Sequence, residues 1–238
     1  MKAFLLAAGN GTRLRPLTDE IPKCLLPIRG VPMLQIWLQT CRNFGIDEVL
    51  INLHAHVKAV RQFLQENANG TWVHISEEPE LLGSAGTLRA NREWVAGEEC
   101  FWVFYADVLN CVDLEAMKTV HSRHKPVATL GLYRVPDPGR CGIATVSADG
   151  IIREFIEKPE QPKGNLAFSG LMIGTPELFD AIPDQVPADI GFHVLPRLCG
   201  RMVAFPVDDY LIDIGTIENY KTAQETWPGL HQPAVSSK

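Results

Sequence analysis

The sequence predicts an α/β fold in which helices are layered on a mixed, mostly parallel central sheet. Three observations carry that expectation. Short apolar runs alternate with amphipathic stretches of helical period from residue 2 to residue 124. Gly, Pro, Asn and Asp mark the joints between them. The composition, 46% hydrophobic and 21% charged in 238 residues, is enough to bury a sizeable core and excludes a disordered chain, a coiled coil or a collagen.

Taken in order, Lys2–Ala7 is an apolar strand that runs into the turn-forming segment 9–12. A helix begins at Pro32, with Leu34, Trp37, Leu38 and Cys41 on one face, and stops near Gly45. Glu48–Leu53 is the next strand. His56–Asn67 is a helix with Val57, Val60, Phe63 and Leu64 inward, ended by Asn69 and Gly70. Trp72–Ser76 is a strand, Ser84–Val95 a helix, Phe101–Tyr105 a strongly apolar strand and Asp113–His124 a helix. This β-α repetition is the signature of a layered, mostly parallel sheet. The pattern then changes to strands with short turns: Val127–Tyr133, Gly142–Val146, Ile152–Phe155 and Leu166–Ile173, with Asp149-Gly150 as a hairpin signal. Helices follow at Pro176–Ala181 and Ile190–Leu198, strands at Met202–Pro206 and Tyr210–Ile212, and a last helix at Ile217–Thr226. One domain over residues 1–226 with a flexible tail from 227 to 238 is the simplest organisation.

The formal net charge is −6, which disfavours a nucleic-acid or anionic-membrane partner. No apolar run reaches the roughly 18 residues of a membrane span, and none has a signal-peptide layout. The six cysteines form no C-x-x-C pair and read as reduced thiols of a cytoplasmic protein. Within this acidic chain the first thirty residues are basic. Lys2, Arg13, Arg15, Lys23 and Arg29 stand against Asp19 and Glu20. A basic segment in an acidic protein suits a small anion.

The glycine-rich segment lies at the carboxyl end of the first strand, where open α/β sheets bind ligands. Its glycines allow backbone N–H groups to approach phosphate oxygens. It is not a dinucleotide fingerprint, because Leu14 stands where the third glycine belongs, nor a P-loop, because no Lys-Ser/Thr follows. Arg13 and Lys23 supply a planar fork and a point charge for the same anion.

The run from Leu6 to Thr18 (LAAGNGTRLRPLT), followed by Pro22-Lys23, resembles the signature of the sugar-1-phosphate nucleotidyltransferases, the NDP-sugar pyrophosphorylases. The resemblance continues through Glu78-Pro79, the Leu82–Leu88 segment, Glu157-Lys158-Pro159 and Asp213-Ile214-Gly215-Thr216, over about residues 1–225. It implies a Rossmann-like α/β/α domain of the nucleotide-diphospho-sugar transferase type. It also implies a Mg²⁺-dependent reaction between an NTP and a sugar 1-phosphate. By resemblance, Arg13, Lys23 and Lys158 are catalytic. Leu6, Ala8, Gly9, Asn10, Gly11, Thr12, Glu78, Gly83, Ser84, Ala85 and Gly86 bind the nucleotide. Gly142, Glu157, Lys158, Ser169 and Gly170 bind the sugar phosphate, and Asp107 and Asp213 bind the metal.

These roles are chemically coherent. Bringing together roughly six negative charges on two phosphate substrates needs nearby cations. Mg²⁺ takes hard carboxylate oxygens, and both aspartates follow apolar strands. Glu78 is an acceptor-only carboxylate that could take N1–H and N2–H of guanine together, which favours GTP, although Glu77 next door could change the register. The resemblance favours a mannose- or heptose-type sugar. Uridylyl, thymidylyl and cytidylyl transfer are the nearest alternatives, and a non-catalytic nucleotide-sugar sensor is the alternative of another class.

Three positions depart from the commonest family pattern: Ala106, Cys24 and Cys141. No hexapeptide repeats occur, so the β-helical domain of longer relatives is not expected. His193 has no assigned role, and apolar residues on the second-half strands leave a homodimer open.

Overall fold

The computed structural model describes residues 1–68 and 72–230. The turn expected at Asn69 and Gly70, and residues 231–238 of the expected tail, lie outside the described residues. The strands are β1 (Lys2–Leu6), β2 (Pro27–Ile28), β3 (Val31–Pro32), β4 (Glu48–Leu53), β5 (Val73–Glu77), β6 (Phe101–Tyr105), β7 (Val108–Asn110), β8 (Ala128–Arg134), β9 (Gly142–Val146), β10 (Ile152–Glu157), β11 (Leu166–Gly174), β12 (Met202–Pro206) and β13 (Leu211–Asp213). The α-helices are α1 (Leu17–Glu20), α2 (Met33–Asn43), α3 (Val57–Asn67), α4 (Ser84–Ala90), α5 (Leu114–His124) and α6 (Ile217–Thr226). The α/β class with helices beside a mixed sheet is the one expected.

The chain groups into two compact units, interleaved along the sequence. The first comprises Met1–Phe4, Glu80–Phe104 and Asp113–Asp208, and the second Leu5–Pro79, Tyr105–Val112 and Asp209–Lys238. The chain passes from one to the other within β1 and β6.

In the first unit the strand order is β10-β9-β11-β6-β1, with β8 also paired to β11 and β12 to β8. β11 is antiparallel to β6, β8 and β9, whereas β12 is parallel to β8. α5 packs on β8 and β12. The core is dense in aromatic rings: Phe4 meets Trp94 and Phe101 edge-on, with centroids 5.1 and 5.6 Å apart.

In the second unit the order is β1-β4-β5, with β4 and β5 parallel, and β7 and β13 form a separate antiparallel pair. The anticipated face of α2 is buried at Leu34, Trp37, Leu38 and Cys41. On α3 only Val60 and Leu64 are buried. Val57 and Phe63 are half-exposed, because two inward positions suffice for a surface helix on one sheet face.

Several boundaries differ from expectation. The helix expected over residues 84–95 is α4 followed by a separate 3₁₀ turn, Arg92–Val95. Asn91 divides them, its side-chain amide donating to Thr87 O. The helix expected over 190–198 is a π-turn, Ile190–Val194, followed by a 3₁₀ turn, Leu195–Leu198. Pro196 has no N–H to continue an α-helical ladder. β10 continues to Glu157, and the short β7 went unanticipated because it lies only two residues after β6.

Candidate active site

The second unit carries a four-charge cluster. Asp107 sits in the turn between β6 and β7, where Ala106 N donates to Leu6 O at 3.0 Å. Ala106 is buried, so the chain accommodates a methyl group there. Asp213 ends β13, which pairs with β7 so that Asp213 lies opposite Val108, and Ile214 N donates to Asp107 O at 3.0 Å. This ladder unites two aspartates far apart in sequence. Lys23, on the 3₁₀ turn Lys23–Leu25, makes a short ion pair with Asp107. Arg13, on the 3₁₀ turn Thr12–Leu14, reaches the same place. A Cβ added at Gly215 would lie 2.8 Å from Asp213 Oδ1, 3.0 Å from Arg13 Nη2 and 3.3 Å from Lys23 Nζ. Gly215 is thus the bare point on which these charges converge.

Burial raises the Asp213 carboxyl above the usual carboxylate range, and the Asp107 charge adds to the rise. Lys23, the Gly215 N–H and Arg13 oppose it. Two like charges in a half-buried site are stabilised by a cation between them. Two carboxylates are also what Mg²⁺ commonly takes from a protein, the remaining ligands being phosphate oxygens and water. The donor set therefore fits Mg²⁺. No group of three or more metal-ligating His, Cys, Asp or Glu side chains offers a rival site among the described residues.

The glycine-rich turn lies beside this cluster. Gly11 has φ +63°, and its carbonyl accepts from Thr18 Oγ1 at 2.8 Å and Leu14 N at 2.9 Å. A Cβ there would press on Thr18, so the turn needs glycine. Buried Leu14 anchors the turn and leaves Asn10, Thr12 and Arg13 at least partly exposed. A narrow pocket here is lined by Ala7, Gly9, Asn10, Lys23, Cys24 and His56 among others. A Cβ on Gly9 would meet nothing, so this glycine borders open space.

Glu78 follows β5 and is buried. Its Oε1 accepts from Asn52 Nδ2 at 2.9 Å, and Asn52 Oδ1 accepts from Ala7 N at 2.7 Å. The neighbouring Glu77 is exposed and paired with Arg61.

The first unit carries a second cluster. Lys158 has a left-handed backbone, φ +50°, which is uncommon for a non-glycine residue and concentrates at functional sites. Its N–H donates to Cys141 O, and its Nζ lies 5.4 Å from the centroid of the half-exposed Phe192 ring. Glu157 lies against Gly142 and Gly191, where an added Cβ at either position would collide with its carboxylate. Burial and then the Asp189 charge raise the Glu157 carboxyl, against Lys158. Asp189 accepts from Ser84 Oγ at 2.9 Å, Gly191 N at 2.8 Å and Phe192 N at 3.2 Å. His193 Nδ1 accepts from Asp189 N, so the imidazole holds this turn together.

The segment Gly83–Gly86 belongs to this unit, not to the one with Leu6–Thr12 and Glu78. Ala85 N and Gly86 N both donate to Ala188 O, at 2.9 and 3.1 Å, and a Cβ on Gly83 would strike that carbonyl. Its glycines thus have a packing reason. Ser169 and Gly170 form an irregularity in β11 between Phe168 and Met172, with Gly170 at φ +78°. The Ser169 side chain is buried. Two polar residues that bond to the expected ones, Asn52 to Glu78 and Asp189 to Ser84, were missed from sequence. A polar residue inside the apolar run Val49–Leu53 was the available signal for Asn52, whereas nothing local marks Asp189.

The remaining early cations have other partners. Lys2 Nζ donates to Trp94 O, Arg15 pairs with Asp19, and Arg29 donates from Nε and Nη2 to the Gln224 and Glu225 carbonyls that end α6.

Fold and site together define an α/β protein with a glycine-rich turn and a charged cluster at its strand ends. The family model described as nucleotidyl transferase matches residues 2–228, and the chain belongs to that family. It is 31% identical over 228 residues to the mannose-1-phosphate guanyltransferase beta-B of Xenopus laevis, and 29% identical over 229 residues to the mannose-1-phosphate guanylyltransferase 1 of Arabidopsis thaliana. Each alignment covers 93% of this chain but 63% of the relative, so the chain spans less than two thirds of the curated relatives it matches. Among solved structures, a candidate glucose-1-phosphate thymidylyltransferase from Bacillus anthracis, in complex with a sucrose, has TM-score 0.83 and 25% identity over 94% of each chain. HddC from Yersinia pseudotuberculosis complexed with GMP-PN shares the fold, with TM-score 0.78 and 24% identity over 95% of this chain and 99% of that one.

Proposed function

We propose that this chain transfers a nucleotidyl group from an NTP, GTP by preference, to a mannose- or heptose-type sugar 1-phosphate in a Mg²⁺-dependent reaction that releases pyrophosphate. The observation that carries the reading is the convergence of Arg13, Lys23 and Asp213 on Gly215, with Asp107 paired to Lys23. A sugar-phosphate oxygen attacks the α-phosphorus of the NTP, the bond to the β-phosphate oxygen breaks, and pyrophosphate departs. Such a reaction is accelerated chiefly by positioning and charge stabilisation.

Arg13, Lys23 and the N–H groups of Gly9, Asn10, Gly11 and Thr12 bind the triphosphate, with Leu6 and Ala8 bordering the nucleoside. Lys158 binds the sugar phosphate, and Glu157 accepts from sugar hydroxyls beside Gly142. Ser169 and Gly170 shape the strand behind them. Ser84 acts through Asp189, while Gly83, Ala85 and Gly86 hold their own segment against Ala188. Asp107 and Asp213 would hold Mg²⁺, which supplies positive charge to the phosphate oxygens when bound. The guanine preference rests on Glu78 as an acceptor-only carboxylate and on the names of the relatives. We further place the enzyme in the cytoplasm, as its six free cysteines suit a reducing compartment, with a homodimer left open.

A second reading, transfer of a pyrimidine nucleotide, is favoured by one observation: a solved neighbour of TM-score 0.83 and 25% identity is a candidate glucose-1-phosphate thymidylyltransferase. The presence of the whole charged set argues against a sensor without turnover. The test is a matrix of ATP, GTP, CTP, UTP and dTTP against a panel of sugar 1-phosphates, read as Mg²⁺-dependent pyrophosphate release. GTP with mannose or heptose 1-phosphate is expected to lead. No release from any pair refutes the proposal, and a pyrimidine optimum selects the second reading.

A further inference from the structure

We infer that Asn52 is a positioning residue for base selection: by bridging the Ala7 amide and the Glu78 carboxylate, it sets the orientation in which Glu78 meets the base. This deepens the nucleotidyl-transfer reading above and rests on it.

Asn52 lies in β4, inside the run Val49–Leu53, and is 4% exposed. An apolar residue would serve such a strand better, because a buried amide is tolerated only when its donors and acceptors are satisfied. The chemistry of its neighbours leaves one orientation. Ala7 N–H can only donate, so the atom facing it at 2.7 Å is Oδ1. Nδ2 then faces Glu78 Oε1 at 2.9 Å, and a carboxylate oxygen accepts there.

The same residue, Glu78, is held at two other points. Glu78 N donates to Leu53 O at 2.8 Å, and Glu78 O takes a hydrogen bond from His54 Nδ1 at 2.8 Å. Backbone position and carboxylate plane are therefore both set from β4 and the residue after it. Asn52 contributes the part that bears on chemistry, since it engages one defined oxygen of the carboxylate. Guanine recognition needs two acceptors in a fixed plane, and a carboxylate that can rotate about its last bond loses that preorganisation. The other end of the Asn52 amide holds Ala7, which lines the pocket with Gly9 and Asn10. One side chain thus links the base-selecting carboxylate to the entrance of the glycine-rich turn.

The test is steady-state pyrophosphate release by the full chain with each of the five NTPs at saturating sugar 1-phosphate, together with the thermal midpoint. The proteins compared are the unaltered chain, Asn52→Ala, and the exchange Asn52→Asp with Glu78→Gln. Asn52→Ala removes a hydrogen bond to a charged group. It should lower kcat/KM for GTP about tenfold or more, chiefly through KM, while the other NTPs change less and the KM for sugar 1-phosphate stays put. In the exchange, the new carboxamide at position 78 donates to the new carboxylate at position 52, which still accepts from Ala7 N. The thermal midpoint should therefore return towards that of the unaltered chain. GTP preference should remain lost, because a carboxamide offers one acceptor where the carboxylate offers two.

A uniform loss across all five NTPs, or an unchanged ratio of GTP to UTP alongside a lowered midpoint, overturns the assignment and makes Asn52 a purely structural residue. An unaltered protein that turns over NTPs without preferring GTP overturns the roles of Asn52 and Glu78 but leaves nucleotidyl transfer standing. No turnover by the unaltered protein overturns both.

Discussion

Gly215→Ala perturbs the charged cluster without removing a charge. Gly215 does not have positive φ, so alanine can adopt its backbone conformation. The new methyl carbon would lie 2.8 Å from Asp213 Oδ1, against a comfortable separation of about 3.5 Å, so the carboxylate must retreat by roughly 0.7 Å. Arg13 and Lys23, at 3.0 and 3.3 Å, present the ends of flexible chains and yield at little cost. Asp213 is less free, since its Oδ1 accepts from Gly215 N itself at 2.6 Å and its backbone belongs to β13. Misplacing a reacting group by about 1 Å can cost about a hundredfold, so a shift of this size should lower kcat/KM at least about tenfold, or roughly 1.4 kcal/mol of transition-state stabilisation. The fold should survive, because Gly→Ala in a permitted conformation stabilises by about 0.4–1 kcal/mol through the unfolded state, which offsets part of the crowding. The assay is pyrophosphate release as a function of Mg²⁺, with the thermal midpoint as control. Full activity with an unchanged Mg²⁺ requirement would show that Asp213 does not need its present position. A midpoint lowered by tens of degrees would show that the methyl group strikes the scaffold instead.

Asp107→Ala and Asp213→Ala should each reduce Mg²⁺-dependent turnover at least about a hundredfold with circular dichroism unchanged, and near-normal activity in both variants would remove the metal assignment. Gly191→Ala drives a methyl group into the Glu157 carboxylate, so the KM for sugar 1-phosphate should rise about tenfold while that for NTP holds; equal changes in both would contradict a sugar-side role. His121, buried with Nδ1 2.9 Å from Thr129 Oγ1, has its pKa lowered by burial from 6.5 to about 4. The unfolded chain therefore binds the extra proton first, and folding stability should fall as pH drops from about 6.5 towards 4, by up to about 3 kcal/mol from this group. Denaturant titrations of the unaltered chain and His121→Gln across that range test it, and identical pH slopes would sink the idea.

Much of the candidate site was legible through ordered motifs. Arg13 and Lys23 accompany a glycine-rich turn after an apolar strand, and Asp107 and Asp213 follow strands; the resemblance joins them into one set. Lys158 follows an apolar strand as an ordinary solvated exit would and entered only by resemblance; its left-handed backbone adds a reason that spacing could not contain. Gly83–Gly86 shows the opposite. The resemblance gives the segment to the nucleotide, yet two of the N–H groups there are spent on Ala188, a residue no local pattern connects to them. The segments 84–95 and 190–198 are helical but not single α-helices, since Asn91 acts through a side-chain hydrogen bond and Pro196 through a missing N–H, neither of which periodicity registers.

The basic first thirty residues mark the line between the two kinds of information. Sequence alone determined the α/β class, the glycine-rich turn and the identity of the cations, because strand and helix periods and residue chemistry are local properties. Only the tertiary structure decided which cations act together. Arg13 and Lys23 meet Asp213 at Gly215, whereas Arg29 is spent on the carbonyls ending α6, Lys2 on Trp94 and Arg15 on Asp19. The reason is physical: a charge acquires its role from the partners within a few ångströms, and those partners come from strands and turns that the chain joins through pairings distant in sequence.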